Sequence, residues 1–169
     1  MSFLTPDQLE TDRLVLRMFK EDDWRDLHQY YSNEECTRYT IGRILTEGES
    51  WRAMAAMIGH WQLRQYGSYV LEGKSDHQVL GMVGLDYPND WPEPEIMWGL
   101  RREFWRKGYA SEAVREVKRM AAHYLPALSL ISLIHPHNAN SINLAEAVGA
   151  TFEKEIRFRG GNWSIFRHH

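Results

Sequence analysis

The order Glu95-Ile96-Met97-Trp98-Gly99-Leu100, then Glu103-Phe104-Trp105-Arg106-Lys107-Gly108-Tyr109-Ala110, then a long amphipathic run, decides how this chain folds. The first six residues follow the turn-rich Pro88–Pro92 segment and read as a strand. From Ala110 to Leu125, Ala110, Ala113, Val114, Val117, Ala121 and Tyr124 share one face, with Arg115, Lys118 and Arg119 outside; the helix stops before Pro126. Leu128–Ile134 is almost wholly apolar, as a strand covered on both faces should be. Strand, helix and strand in this order make a crossover with a parallel pair, which places Leu128–Ile134 in mid-sheet. In the loop between strand and helix, Gly108 lets the backbone turn closely, and small residues open the helix. Such a nest of N–H groups at a positive helix end suits a pyrophosphate, with Arg106 and Lys107 adding charge. Taken alone, the loop reads equally well as an ordinary glycine turn with a basic surface.

On the N-terminal side, Thr11–Phe19 alternates apolar and polar residues and predicts a first strand. Glu21–Tyr31 carries acid in its first turn and Trp24, Leu27, His28 and Tyr31 at helical spacing. Thr46 and Glu49 form a capping box ahead of Trp51, Met54, Ala55, Ile58 and Trp61, which predicts a second helix ending near Gly67. Ser68–Glu72 and Val79–Tyr87 read as strands of an antiparallel meander that Pro94–Leu100 completes. On the C-terminal side, Asn140 or Ser141 can cap a short helix that runs to Val148 and ends at Gly149. Thr151–Phe158 and Trp163–Phe166 read as closing strands.

The 169 residues, 43% hydrophobic and 25% charged, have the profile of one domain over 1–169 with a substantial core. Seven Trp, eight Tyr and six Phe argue against disorder. A formal charge of −3 with interspersed signs gives no basic stripe for nucleic acid. Cys36 is the only cysteine, which excludes an intrachain disulfide and a multi-cysteine zinc site; no metal is expected. The opening MSFLTPDQLE has no signal-peptide pattern and no apolar run reaches membrane-span length, so the expectation is a cytoplasmic protein, monomer or homodimer.

Three segments in order then carry a resemblance. Trp105-Arg106-Lys107-Gly108-Tyr109-Ala110 matches the last two fixed positions of the Gln/Arg-x-x-Gly-x-Gly/Ala loop of the GNAT superfamily of N-acetyltransferases. With Ser111, Glu112 and Ala113 it resembles Trp-Gly-Lys-Gly-Tyr-Ala-Thr-Glu-Ala of the RimJ/RimL-type branch. Thr11-Asp12-Arg13-Leu14-Val15-Leu16-Arg17 is similar to that branch's opening, and Asn138-Ala139-Asn140-Ser141-Ile142 with Gly149-Ala150 to its closing motif. Arg106 departs from the branch, and so does Met97-Trp98-Gly99-Leu100, which stands where Gly-Tyr-Trp-Leu is usual. The resemblance implies an α/β (α+β) GNAT fold: a mixed, mostly antiparallel sheet of about six to seven strands, splayed at its middle, with about four helices. It also implies acetyl-CoA as cosubstrate and an amine acceptor, either a peptide or protein N-terminal α-amine or a small amine such as a polyamine, amino acid or aminoglycoside. A non-catalytic acetyl-CoA-binding module is the alternative of another class.

In that reaction the amine attacks the thioester directly, so the site must juxtapose two molecules, take a proton from an ammonium and stabilise an oxyanion. Glu95 is the candidate base, with Asp86, Asp90 and Glu93 as neighbouring carboxylates. The backbone at Met97, Trp98 and Gly99 would hold the thioester and pantetheine. Trp105, Arg106, Lys107, Gly108, Tyr109, Ala110 and Ser111 would cradle the diphosphate. Asn138 would bond the cofactor arm. Many superfamily members carry a Tyr seven residues after that Asn; Ala145 stands here, and the branch pattern assigns the thiolate contact to Ser141. Cys36, beside Glu34 and Glu35, is set aside as a nucleophile because neighbouring acid suppresses thiolate. His135 and His137 rank below Glu95 as bases. Ser32–Leu45, with Tyr39 and Arg43, should help form the acceptor pocket.

Overall fold

The computed structural model describes residues 2–169. Among these, one sheet of eight strands is flanked by five α-helices. A short first strand β1 (Gln8–Glu10) turns back into β2 (Leu14–Arg17), and the helices α1 (Asp23–Tyr31), α2 (Glu34–Thr37) and α3 (Glu47–Arg64) follow. The meander comprises β3 (Ser68–Gly73), β4 (Val79–Asp86) and β5 (Glu95–Leu100). After a single 3-10 turn at Arg102–Phe104 come α4 (Tyr109–Tyr124), β6 (Ile131–Ile134), α5 (Ala139–Ala147), β7 (Thr151–Phe158) and β8 (Gly161–Arg167). The spatial order is β1-β2-β3-β4-β5-β6-β8-β7, antiparallel throughout except for the pair β5 and β6. The fold is the mixed, mostly antiparallel one expected, with β6 in mid-sheet.

Two elements had no sequence signal. β1 buries only Leu9 among its three residues, too short a run to show a period. α2 is one turn, capped by the Asn33 side chain, which accepts from the N–H groups of Glu35 and Cys36; it lies inside the Ser32–Leu45 stretch. Some boundaries also move. Thr11–Arg13 forms the hairpin between β1 and β2, with Thr11 N–H donating to Leu14 O, so the strand begins only at Leu14. The cap of α5 is Asn138, not Asn140 or Ser141: its side-chain oxygen accepts from Ser141 N–H, and Ala139 is already helical. The capping box of α3 forms as read, with Thr46 and Glu49 each accepting from the other's backbone.

The sheet has a core on each face. Ala113, Val114, Val117, Met120 and Ala121 of α4 pack on Val83, Leu85, Ile96 and Leu100. On the opposite face Leu27, Tyr30 and Tyr31 of α1 and Met54 of α3 meet Val70 and Met82. Burial of the Val, Leu, Ile and Met side chains among them supplies about 1.5–3 kcal/mol each before ordering costs. Gly99 is required where α1 comes closest: a Cβ there would sit 2.9 Å from both the Tyr30 ring and the Met82 methyl.

Candidate active site

The site begins where β5 hands over to α4. Arg106 and Gly108 both adopt left-handed backbone, at φ 59 and 79, so the chain reverses twice within three residues. Gly108 is the N-cap of α4 and supplies no side-chain acceptor. The first helical bond there runs from Glu112 N–H to Gly108 O. The N–H groups of Tyr109, Ala110 and Ser111 therefore precede the ladder and, among the described residues, have no acceptor, at the positive end of a sixteen-residue helix.

This turn is held from behind by the opening motif. Arg13 donates from its backbone N–H to Glu112 Oε1 at 2.9 Å, from Nε to Glu112 Oε2 at 2.7 Å and from Nη1 to Lys107 O at 2.9 Å. Its guanidinium lies 4.2 Å from the centre of the Tyr109 ring, and the Thr11 hydroxyl donates to Glu112 as well. The two motifs lie far apart in the sequence; in space Thr11 and Arg13 brace the loop through Glu112.

A cavity of about 510 Å³ opens from this loop toward the middle of the sheet. Trp98, Gly99, Trp105, Arg106, Gly108, Tyr109, Ala110, Ser111, Asn138 and Ser141 all line it, as do Cys36, Arg38 and Tyr39 from α2 and the residues after it. Lys107, Met97 and Glu95 do not. Lys107 lies instead against the Phe104 ring, and the Met97 side chain packs toward α1 and α3. Arg38 and Arg106 have no acidic partner among the described residues, and both are exposed at the cavity wall. Arg38 carried no motif, and only the fold brings it opposite the loop. Arg43, by contrast, turns away to pair with Glu49 at 2.8 Å.

At the far end, β5 and β6 separate. They are paired only at Glu95 and Ile131. Backbone groups of alternate residues in a strand point to opposite neighbours. Arg101 N–H donates to Leu80 O on the β4 side, whereas Ile96 O and Leu100 O accept from side chains on the other. Trp98 thus presents its peptide to the opening, and Met97 presents its peptide to β4. The Trp98 indole Nε1 donates to Ser141 Oγ at 3.2 Å, and Ser141 keeps its own hydroxyl hydrogen free to donate.

Glu95 is only 7% exposed and is not a solvated edge carboxylate. Its Oε1 accepts from the Trp91 indole at 2.9 Å and its Oε2 from Leu133 N–H at 3.0 Å. Burial pushes its carboxyl up to about 8, with nearby Asp86 adding to the rise, against the opposing pull of the two donors. Asp86 is itself raised by burial. The neighbouring His60 accepts from Tyr87 N–H at Nε2 and so donates to Tyr66 O from Nδ1, which leaves it neutral and occupied. Asp90 and Glu93 are committed to Arg159 and Arg167. Among the four carboxylates, Glu95 alone is less than a tenth exposed and held only by neutral donors; the Asp86 side chain is 30% exposed.

Cys36 lines the cavity with its thiol 3.6 Å from Leu100 O, and burial, more than the adjacent acid, pushes it up to about 11. It stays a thiol. His135 accepts from His137 N–H at Nδ1, so its neutral form carries the proton at Nε2 and is a donor, not a base. Its ring stacks 5.0 Å from Tyr39 and 6.0 Å from Trp163, an aromatic wall continuous with the cavity at Tyr39.

A crossover loop that offers unpaired N–H groups at a helix start, opening into a sheet split beside it, can receive a diphosphate and an extended arm. The family model for the acetyltransferase (GNAT) domain matches residues 13–151. The chain is 31% identical over 153 residues to the uncharacterized N-acetyltransferase p20 of Bacillus licheniformis, covering 88% of this chain and 84% of that protein. An acetyltransferase from Agrobacterium tumefaciens superposes with TM-score 0.86 at 23% identity, covering 98% of this chain and 95% of that one. RimL, a ribosomal alpha-N-protein acetyltransferase solved with coenzyme A, superposes with TM-score 0.75 at 15% identity, covering 97% and 96%. The chain belongs to the GNAT acetyltransferase family. It is an acyltransferase that uses acetyl-CoA, and no helix of the described residues is long and apolar enough to cross a membrane.

Proposed function

We propose that this enzyme acetylates the α-amine of a peptide or protein N-terminus, the activity of the RimJ/RimL-type branch. The observation that carries the reading is the likeness of Thr11–Arg17, Trp105–Ala113 and Asn138–Ile142 to that branch, and it is supported by the Glu95 carboxyl, raised by burial at the root of the split between β5 and β6. A base is most effective when matched to the proton it takes, and an α-ammonium, which loses its proton at about 7.7–8.0, asks less of a carboxyl raised by burial than a lysine-type amine near 10.4 does.

The unpaired N–H groups of Tyr109, Ala110 and Ser111 hold the diphosphate, with Arg106 and Arg38 supplying charge. Trp105, Gly99 and Asn138 line the pantetheine path. Glu95, on the face of β5 turned from α4, takes the acceptor's proton through a water. The freed amine then attacks the carbonyl carbon, and Trp98 N–H faces the oxyanion that forms. On collapse the carbon–sulfur bond breaks and the Ser141 hydroxyl donates to the departing sulfur.

The test is a panel of N-terminal peptides and small amines, read by free thiol release. Peptides should be acetylated and their Nα-blocked counterparts should not; turnover of small amines alone would overturn the assignment. Glu95→Gln should lower kcat by about 10²-fold or more with CoA affinity within about two-fold.

A further inference from the structure

Strands β5 and β6 share one rung: Ile131 N–H donates to Pro94 O at 3.1 Å. In a continued parallel ladder the next rung would run from Leu133 N–H to Ile96 O. Neither group is left bare, and neither meets the other. Leu133 N–H donates to Glu95 Oε2 at 3.0 Å, and Ile96 O accepts from the Ser132 hydroxyl at 2.6 Å. Ser132 is 2% exposed, so water is not its partner. Its oxygen also lies 2.8 Å from His168 Nε2; since its one hydrogen is given to the carbonyl, it accepts from the imidazole.

We infer that Ser132 and Glu95 are positioning residues that end the β5–β6 ladder after one rung and thereby set the width of the split beyond it. Two strands that part inside a protein leave an N–H and a C=O without partners, at about 1–3 kcal/mol for each, and this cost favours zipping them together. Glu95 supplies the missing acceptor and Ser132 the missing donor at the rung where parting begins, so the open form carries no orphan. Remove the Ser132 hydroxyl and Ile96 O becomes that orphan. Its nearest remedy is Leu133 N–H, whose capture draws β6 to ordinary spacing of about 4.8 Å and frees the Glu95 carboxylate from its backbone donor. The peptide of Trp98, one residue pair further on, then faces a narrower opening.

The consequence for ligand binding rests on the proposed placement of the thioester arm in that opening. Ser132→Ala should raise the Kd for CoA and the KM for acetyl-CoA together by about ten-fold, and Ser132→Thr, which keeps the hydroxyl, should restore both. A Ser132→Ala enzyme that melts earlier but binds CoA as before would overturn the inference. The unaltered protein gives a second reading that needs no variant: the Leu133 amide proton shift followed by NMR from about pH 6 to about pH 10. An amide bonded to the carboxyl should titrate with it, and a Leu133 shift that stays flat while the Glu95 carboxyl carbon titrates would overturn the inference as well. Glu95→Gln separates this role from the base role, because the amide oxygen of Gln still accepts from Leu133 N–H. Lost turnover with CoA affinity kept agrees with both roles, and full turnover would remove the base while leaving the strut.

Discussion

Glu95 makes the folded state sensitive to pH in a direction opposite to most carboxylates. Its carboxyl moves from 4.5 in the unfolded chain to about 8 in the fold, so its contribution is fully present below about pH 4.5 and is lost as pH rises through 8. Glu95→Gln removes the cost of a buried charge. Its melting temperature should therefore gain on the native protein between about pH 5 and about pH 8 and hold a constant lead above. A gap that shrinks over that range would show that the carboxyl is not buried as described. Ser141 is the second residue whose chemistry is specific. Because Asn138 caps α5, Ser141 has no capping duty, and its oxygen is oriented by the Trp98 indole. Ser141→Ala should lower kcat by about ten-fold with little change in melting temperature or CoA Kd, whereas a capping serine would cost about 1 kcal/mol of stability.

At the scale of elements, the start of α4, where the diphosphate is proposed to sit, combines a left-handed N-cap with three unpaired N–H groups. Gly108→Ala forces an L side chain into φ 79, at about 1–2 kcal/mol, and brings a Cβ to 3.3 Å from the Arg13 guanidinium. The helix should survive and the turn should shift, so CoA affinity should fall about ten-fold by calorimetry while the helical circular dichroism stays the same. Most elements could be read from local pattern: α4 from its apolar stripe, α3 from its capping box, β6 from its continuous apolar run. β1 and α2 could not, since three or four residues do not hold a period and their ends are fixed by pairing with β2 and by the Asn33 cap. α2 nonetheless brings Cys36 and the adjoining Arg38 and Tyr39 to the cavity wall. Elements too short to announce themselves thus furnish part of the cavity wall.

Across the whole molecule, Arg17 fastens the first half of the sheet to α1. Its guanidinium meets Asp23 at 2.8 Å and Glu72 at 2.6 Å, and all three side chains are less than a fifth exposed. Arg17→Ala leaves the buried Asp23 without its counter-charge and Glu72 with only the exposed His77 beside it, and should cost about 3 kcal/mol in denaturant titrations, well beyond a surface ion pair. A loss under about 1 kcal/mol would mean that water takes its place. The sequence by itself determined the crossover, the glycine turn before α4 and the family, because these depend on residue types at short, fixed spacings. It also named Glu95 and Ser141, but not their states. Only the tertiary structure decided that Thr11 and Arg13 brace the loop ninety-odd residues away through Glu112, that Glu95 is buried with its acidity changed, and that Ser132 and Glu95 take over the rung at which β5 and β6 part. Those depend on which distant groups desolvate or satisfy one another, and hydrogen bonds between partners so far apart in sequence leave no period to read.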